Sequence, residues 1–335
     1  VSELALGVDV GGTKMLGCVL DPERPGTVLV EHRVDTPVGA VALIDGLAEL
    51  AAALLAEVSS LGPDPSHPAG AVGSVGSAGA VGSVGVGLPA LVDHDSVLRF
   101  APHLPGVTDL AVGRLLDARV GLPVTVDNDA NCAVVAEAAA GAAVGRREVL
   151  MITLGTGIGG GIITGGRLLR GARGFAGEPG HMTVQRNGVP CPCGQRGCWE
   201  CYASGRGLGH LAREAASEGR APSVLARAGG LDEIRGEHVV DAAADGDPGA
   251  LAVMAEFGWW VAVGLANLAN LLDPEVIVLG GGLVDAGDVL LDPVRRSYGT
   301  LTLGGGHREP PPIEPARLGS SAGAIGAALV GAQRR

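Results

Sequence analysis

Two apolar runs, each broken by a glycine turn and resumed by a second apolar run, lie about half the chain apart. This repetition narrows the fold more than any other feature. Leu4 to Asp9 leads through GGT into Met15 to Leu20, and Val149 to Leu154 leads through GTGIGG into Gly161 to Thr164. Short apolar runs bounded by glycine read as buried strands, so each unit predicts a hairpin. A third strand is expected at Thr27 to Val34. Two similar halves that each present a glycine turn predict a phosphate clamp, because glycines let backbone N–H groups converge on phosphate oxygens.

Neither turn fits a better-known nucleotide motif. Gly155, Gly157 and Gly160 spell G-x-G-x-x-G, but β-branched Ile162, Ile163 and Thr164 follow where a dinucleotide fingerprint needs a helix. Gly11, Gly12, Thr13 and Lys14 lack the spacing and the helix of a P-loop. Thr13 and Thr156 can add hydroxyl donors. Lys14 is the only lysine in the chain and stands beside the first turn, where either a phosphate contact or a solvent-facing strand position suits it.

Helical spacing runs from Gly39 to Ser60 through Leu43, Leu47, Leu50, Leu54 and Val58, and a buried strand is expected near Val84 to Leu88. Val124 to Val126 reads as a strand running into a helix from Ala130 to about Ala140. Further helices are expected at Arg206 to Glu218, Asp247 to Leu272, Asp288 to Tyr298 and Ser321 to Ala332, with strands at Val276 to Leu279 and Ile313 to Leu318. With 335 residues, two domains of ordinary size fit the chain. The expected division is residues 1–125 plus about 318–335 as a smaller α/β domain, and 126–317 as a larger one.

The run GEPGHMTVQRNGVPCPCGQRGCWE places His181, Cys191, Cys193 and Cys198 between Glu178 and Glu200. One imidazole and three thiolates complete a tetrahedral Zn²⁺ site with no open position, so the ion would be structural. Its task would be to hold Glu178, His181 and Glu200 together at a binding pocket. Cys201, at C-x-x-C spacing from Cys198, is an alternative fourth ligand.

A formal net charge of −12 and no basic cluster argue against nucleic acid and anionic membrane as partners. Cys18 and Cys132 stand alone in apolar surroundings, which suits a reduced, cytoplasmic compartment better than a disulfide framework. No signal peptide pattern opens the sequence. The uncharged stretch from Pro68 to Val92 is long enough to span a bilayer, but it is Gly, Ala, Ser and Val with AGAVGSVG at Ala69 to Gly76 and again at Ala78 to Gly85. Such a Gly-dense repeat makes a poor helix and predicts a flexible insertion.

Asp127, Asn128 and Asp129 sit where a strand ends and a helix begins. Either Asn128 or Asp129 could cap the helix, and a carboxylate at a strand's carboxyl end is also where an α/β protein places a general base.

Taken together, DVGGTK, VDNDAN, LGTGIGGG, GEPGH and CPCGQRGCWE, in this order, resemble the ROK family of bacterial sugar kinases and repressors, and within it the glucokinases. The resemblance runs from Leu4 to about Val330. It implies an actin/hexokinase-like (ribonuclease H-like) fold of two α/β domains that close a cleft on substrate. It also implies ATP-dependent phosphorylation of the 6-hydroxyl of a hexose, glucose first, with N-acetylmannosamine, fructose and allose as alternatives. Asp129 would be the base. Asn128, Glu178, His181 and Glu200 would bind the other sugar hydroxyls, with zinc on the second nitrogen of His181. Asp9 would hold Mg²⁺, and Gly11, Gly12, Gly155 and Gly157 the phosphates of ATP. Gly280, Gly281 and Gly282 match the nucleoside side, and the family implies a homodimer or homotetramer. Two departures bear on sugar choice: His103 stands where relatives carry asparagine, and Ala90 where glycine is common. Family repressors carry a helix-turn-helix before the first motif. Only eight residues precede Asp9 here, so the expectation is a kinase.

Overall fold

The computed structural model describes residues 3–61, 80–102, 104–304 and 307–333. The first AGAVGSVG copy, the start of the second and His103 lie outside the described residues. The chain divides into two compact units: residues 1–145, 161–176 and 317–335 form the first, and residues 146–160 and 177–316 the second.

The first unit opens with β1 (Leu4–Val10), β2 (Lys14–Leu20), β3 (Val28–Asp35) and α1 (Ala40–Ser60). It continues through β4 (Val81–Leu88), the small antiparallel strands β5 (Leu91–Val92), β6 (Leu98–Phe100) and β7 (Thr108–Leu110), then α2 (Val112–Val120), β8 (Val124–Asn128) and α3 (Asp129–Ala140). The second unit starts with β9 (Val149–Leu154) and β10 (Ile158–Thr164). β10 carries the chain back into the first unit, where β11 (Arg167–Leu168) pairs with its end. Then come α4 (Glu200–Ala203), α5 (Gly205–Ser217), α6 (Pro222–Ala228), α7 (Gly236–Ala244), α8 (Pro248–Leu272), β12 (Val276–Gly280), α9 (Asp288–Leu301) and β13 (Ile313–Pro315). The last helix, α10 (Ala322–Gln333), belongs to the first unit.

The repeat seen in the sequence is a repeat of topology. The first main sheet runs β3-β2-β1-β4-β8 and the second β11-β10-β9-β12-β13, each with a glycine hairpin feeding parallel neighbours. Strands covered on both faces read as continuous apolar runs, and β1 is buried at every position except Asp9. The expected boundary after residue 125 is overturned. β8 pairs with β4 from Val84↔Val124 to Leu88↔Asn128, so residues 126–145 join the first unit. Helices α2, α6 and α7 and the small sheet were not expected from the sequence.

Glycines set how close α10 comes to the first sheet. A Cβ on Gly85 of β4 would stand 1.7 Å from the Ala327 carbonyl oxygen, and one on Gly7 of β1 would stand 2.0 Å from that of Ala324. The helix therefore lies backbone against backbone on β1 and β4. Glu137, fully buried at the end of α3, accepts from the N–H groups of Ala142, Arg317 and Leu318, pinning the segment that leads into α10. In the second unit α8 is long and apolar enough to cross a membrane, yet it buries Val253, Met254, Phe257, Val261 and Leu265 in that unit's core. Gly85→Ala is expected to lower stability by about 3 kcal/mol through overpacking against α10. Urea unfolding checks this, and an unchanged midpoint would contradict the close packing.

Candidate active site

In the first unit β1 and β8, which flank β4 in the parallel part of the sheet, carry acidic groups at their carboxyl ends. Asp9 on β1 is in register with Gly87 on β4, and Gly87 with Asp127 on β8. A Cβ on Gly87 would lie 3.3 Å from Asp9 Oδ1 and 3.5 Å from Asp129 Cα, so the glycine stands between the Asp9 carboxylate and the backbone at the start of α3. Asp9 Oδ1 is inaccessible and has no hydrogen-bond partner. On its other side a Cβ on Gly323 of α10 would come within 2.3 Å of Asp9 Cγ. Burial, reinforced by the nearby Asp129 charge, pushes the Asp9 pKa up to about 7. An orphaned carboxylate oxygen in a glycine cradle fits a hard divalent cation such as Mg²⁺, which takes oxygen ligands and keeps several waters.

Asn128 is the cap of α3: its side-chain oxygen accepts from Ala130 N at 2.9 Å and Asn131 N at 3.1 Å. Its amide nitrogen reaches the Ala90 carbonyl at 3.4 Å. Asp129, the first helical residue, has its pKa raised to about 6 by burial, partly offset by the Ala130 N–H. Asp127 is held by Arg170 Nε at 2.6 Å and by Asn131 Nδ2 at 2.9 Å. The first glycine turn is closed by Gly11 N–H to the Lys14 carbonyl and braced by Thr36, whose hydroxyl donates to the Gly11 carbonyl. Lys14 is exposed and paired with Asp35 across the β2–β3 edge.

In the second unit, the ligand atoms of His181, Cys191, Cys193 and Cys198 lie within 4.8 Å of one another. Cys193 Sγ and Cys198 Sγ are 3.6 Å apart, and Cys191 Sγ is 3.8 Å from His181 Nδ1. A tetrahedral ion with Zn–S near 2.3 Å needs ligand separations of about 3.8 Å, so the four fit zinc. Cys201 stands outside the group, its thiol directed to the Pro190 carbonyl. The loop is fixed from outside: Trp199 is buried against Gly264 of α8 and donates to the Trp260 carbonyl, while Tyr202 stacks on Trp260 and its hydroxyl accepts from Val189 N.

Glu200 is buried, with Oε2 accepting from Ile158 N at 2.9 Å and Oε1 from Arg206 at 2.9 Å. This sets it against the second glycine turn, where a Cβ on Gly157 would meet Oε2 at 2.3 Å. Gly281, at φ +85°, packs on the Leu154 backbone, so Gly280 to Gly282 adjoin the start of that turn at Gly155. Glu178 directly precedes the short 3₁₀ turn Pro179–His181 that carries the imidazole.

Residues 72–334 match the ROK family. The chain belongs to the ROK family. It is similar to a glucokinase of Streptomyces coelicolor, with 41% identity over 97% of this chain and 96% of that one. Among solved structures it is similar to a ROK family glucokinase from Streptomyces griseus in complex with glucose and AMPPNP, at a TM-score of 0.81 and 38% identity, covering 98% of this chain and 99% of that one. A ROK hexokinase from Thermus thermophilus is similar at a TM-score of 0.75 and 34% identity, with 98% of each chain covered. The fold is therefore the actin/hexokinase-like one that the ROK motifs imply.

Two site residues escaped the sequence reading. Arg170 and Arg206 are ordinary arginines in sequence, and only the fold brings them to Asp127 and Glu200. In Mg²⁺-free buffer, the raised Asp9 pKa means that the unfolded chain ionises from about pH 4 while the folded one holds its proton to about pH 7. Its share of stability therefore falls as pH rises through that window and is constant above it. Asp9→Asn removes the decline, so the melting-temperature advantage of the variant should grow from pH 4 to pH 7 and then level off. A difference independent of pH would refute the assignment.

Proposed function

We propose that this ROK protein transfers the γ-phosphoryl group of ATP to the 6-hydroxyl of glucose. The observation that carries this reading is Asp129, a half-buried carboxylate at the strand end beside Asp9, tuned to about pH 6 where a base for a hydroxyl works near neutrality. The glucokinases of similar sequence and structure support the choice of reaction and sugar.

In this reading Asp129 accepts the proton of the 6-hydroxyl as its oxygen attacks the γ-phosphorus. The new O–P bond forms as the bond to the ADP oxygen breaks, and ADP departs. Asn128, whose oxygen is committed to the cap, offers its amide nitrogen to a sugar oxygen. Glu200, Glu178 and His181 bind further hydroxyls. His103, although outside the described residues, stays a candidate sugar contact from its motif. The turns at Gly11, Gly12, Thr13 and at Gly155, Thr156, Gly157 meet the phosphates, with Gly280 to Gly282 on the nucleoside side and Lys14 a peripheral cation. Asp9 would hold Mg²⁺, which supplies charge neutralisation on the β- and γ-phosphates.

Zinc on His181, Cys191, Cys193 and Cys198 would keep Glu178, His181 and Glu200 in place without touching the reacting atoms. Six free cysteines support a reduced, cytoplasmic setting, and family membership supports a homodimer or homotetramer.

A coupled assay over glucose, N-acetylmannosamine, fructose and allose, with ATP or polyphosphate as donor, tests the reaction itself. Turnover of no sugar would end it. Asp129→Asn is expected to keep glucose binding and lose about 10²- to 10⁴-fold in kcat. In the native enzyme kcat/KM should fall tenfold per pH unit below about 6. For the metal, Cys193→Ser should carry no zinc by elemental analysis and bind glucose at least about tenfold more weakly. A zinc-free variant with unchanged affinity would separate the ion from the sugar pocket.

A further inference from the structure

Arg206 belongs to no part of the reaction as described, yet it touches two groups of the second unit to which that reading gives different ligands. Its Nη2 donates to Glu200 Oε1 at 2.9 Å and its Nε donates to the Thr156 carbonyl at 3.2 Å. The other oxygen of Glu200 accepts from Ile158 N, two residues past Thr156. The bonds therefore close a ring from Arg206 through Glu200 and Ile158, along the backbone to Thr156, and back to the guanidinium. Gly157 sits against this ring with no room for a side chain. Gly205, next to Arg206, donates its N–H to the Gly155 carbonyl at 2.8 Å. The turn is thus tied at Gly155, Thr156 and Ile158 to the segment that carries Glu200.

We propose that Arg206 is a positioning residue that couples the two substrates, holding the sugar-binding carboxylate of Glu200 and the phosphate-facing turn at Thr156 in one arrangement. A phosphate that orders the turn fixes the guanidinium, and the guanidinium fixes Glu200 for the sugar. A sugar on Glu200 orders the turn by the same path. A planar fork is suited to this because its donors diverge at fixed angles, whereas a lysine ammonium meets one partner at a time. The side chain of Arg206 is 46% exposed while that of Glu200 is 8% exposed. Replacing the arginine therefore removes little packing but strips a nearly buried carboxylate of its cation. The proposal rests on the reading of Glu200 as a sugar ligand and of the turn as a phosphate site.

Coupling between two ligands is reciprocal, so it is measured without turnover. The dissociation constant of glucose is determined by calorimetry with and without AMPPNP and Mg²⁺, and that of AMPPNP with and without glucose. For the native protein both should fall by the same factor, in the usual range of about 5- to 150-fold. In Arg206→Met the factor should drop to about 1, and in Arg206→Lys, which keeps the charge but not the fork, it should drop nearly as far. Melting temperatures close to the native value would show that both variants are folded. Full coupling in either variant overturns the proposal, as does the absence of coupling in the native protein. Glu200→Gln separates this failure from failure of the underlying reading. If Glu200 binds sugar, the variant weakens glucose binding measured without AMPPNP, and if that affinity is unchanged the sugar assignment itself is wrong.

Discussion

The packing of α10 on β1 and β4 governs the chemistry of the first unit. Ordinary helix–sheet contact is mediated by side chains, but here Gly7 and Gly85 bring carbonyls of the helix to within a Cβ's reach of the strands. Gly323 at the start of the same helix then closes over the Asp9 carboxylate. That contact leaves Oδ1 inaccessible without supplying a donor, and burial raises the pKa of the group to about 7. A less intimate helix would leave Asp9 hydrated and ordinary. The glycine content of AGAIGAALVG is thus a condition for the burial of the Asp9 carboxylate, as well as a packing device.

The second unit solves a related problem by other means. Its glycine turn is not covered by a helix backbone but tied by polar bonds to the Glu200–Arg206 segment, and that segment is anchored by Trp199 and Tyr202 on α8. The cysteine loop sits directly before this anchor. It is folded on itself by the bridges Thr183↔Cys198 and Pro190↔Arg196 and by backbone bonds such as Gly197 N–H to the Val189 carbonyl and Trp199 N–H to the Met182 carbonyl. An ion held by the four converging His and Cys atoms would add a further constraint to this loop.

Much of this was legible because the signals were local. The strand-turn-strand units, α1 with its leucines at helical spacing and α8 all depend on residues close in sequence, and each was recovered within a few positions, as was the grouping of His181 with three cysteines. The Cys201 alternative was open because spacing counts candidates without aiming them; in the fold that thiol lies near the Pro190 carbonyl and beside Cys191, while the group of four within 4.8 Å contains His181. The domain boundary failed for a different reason. A parallel strand declares itself by apolar residues, but its partner is chosen across a long crossover, and nothing near Val124 announces pairing with Val84.

Arg170 and Arg206 were illegible for the same reason in a sharper form. Each lies far in sequence from one group it engages, 43 residues for Asp127 and 50 for Thr156. Motif reading finds the groups that face a substrate, because chemistry restricts them to few residue types at fixed spacing. It misses the groups that orient them, because many residue types at many positions can donate a hydrogen bond. Asp127 illustrates the dependence: it shares a motif with the proposed base, yet its carboxylate is spent on Arg170, Asn131 and the Asn128 amide. Of the three acids at this strand end, Asp127 is thus the one bound by other side chains, while Asp129 at the start of α3 takes only a backbone N–H and Asp9 Oδ1 has no partner.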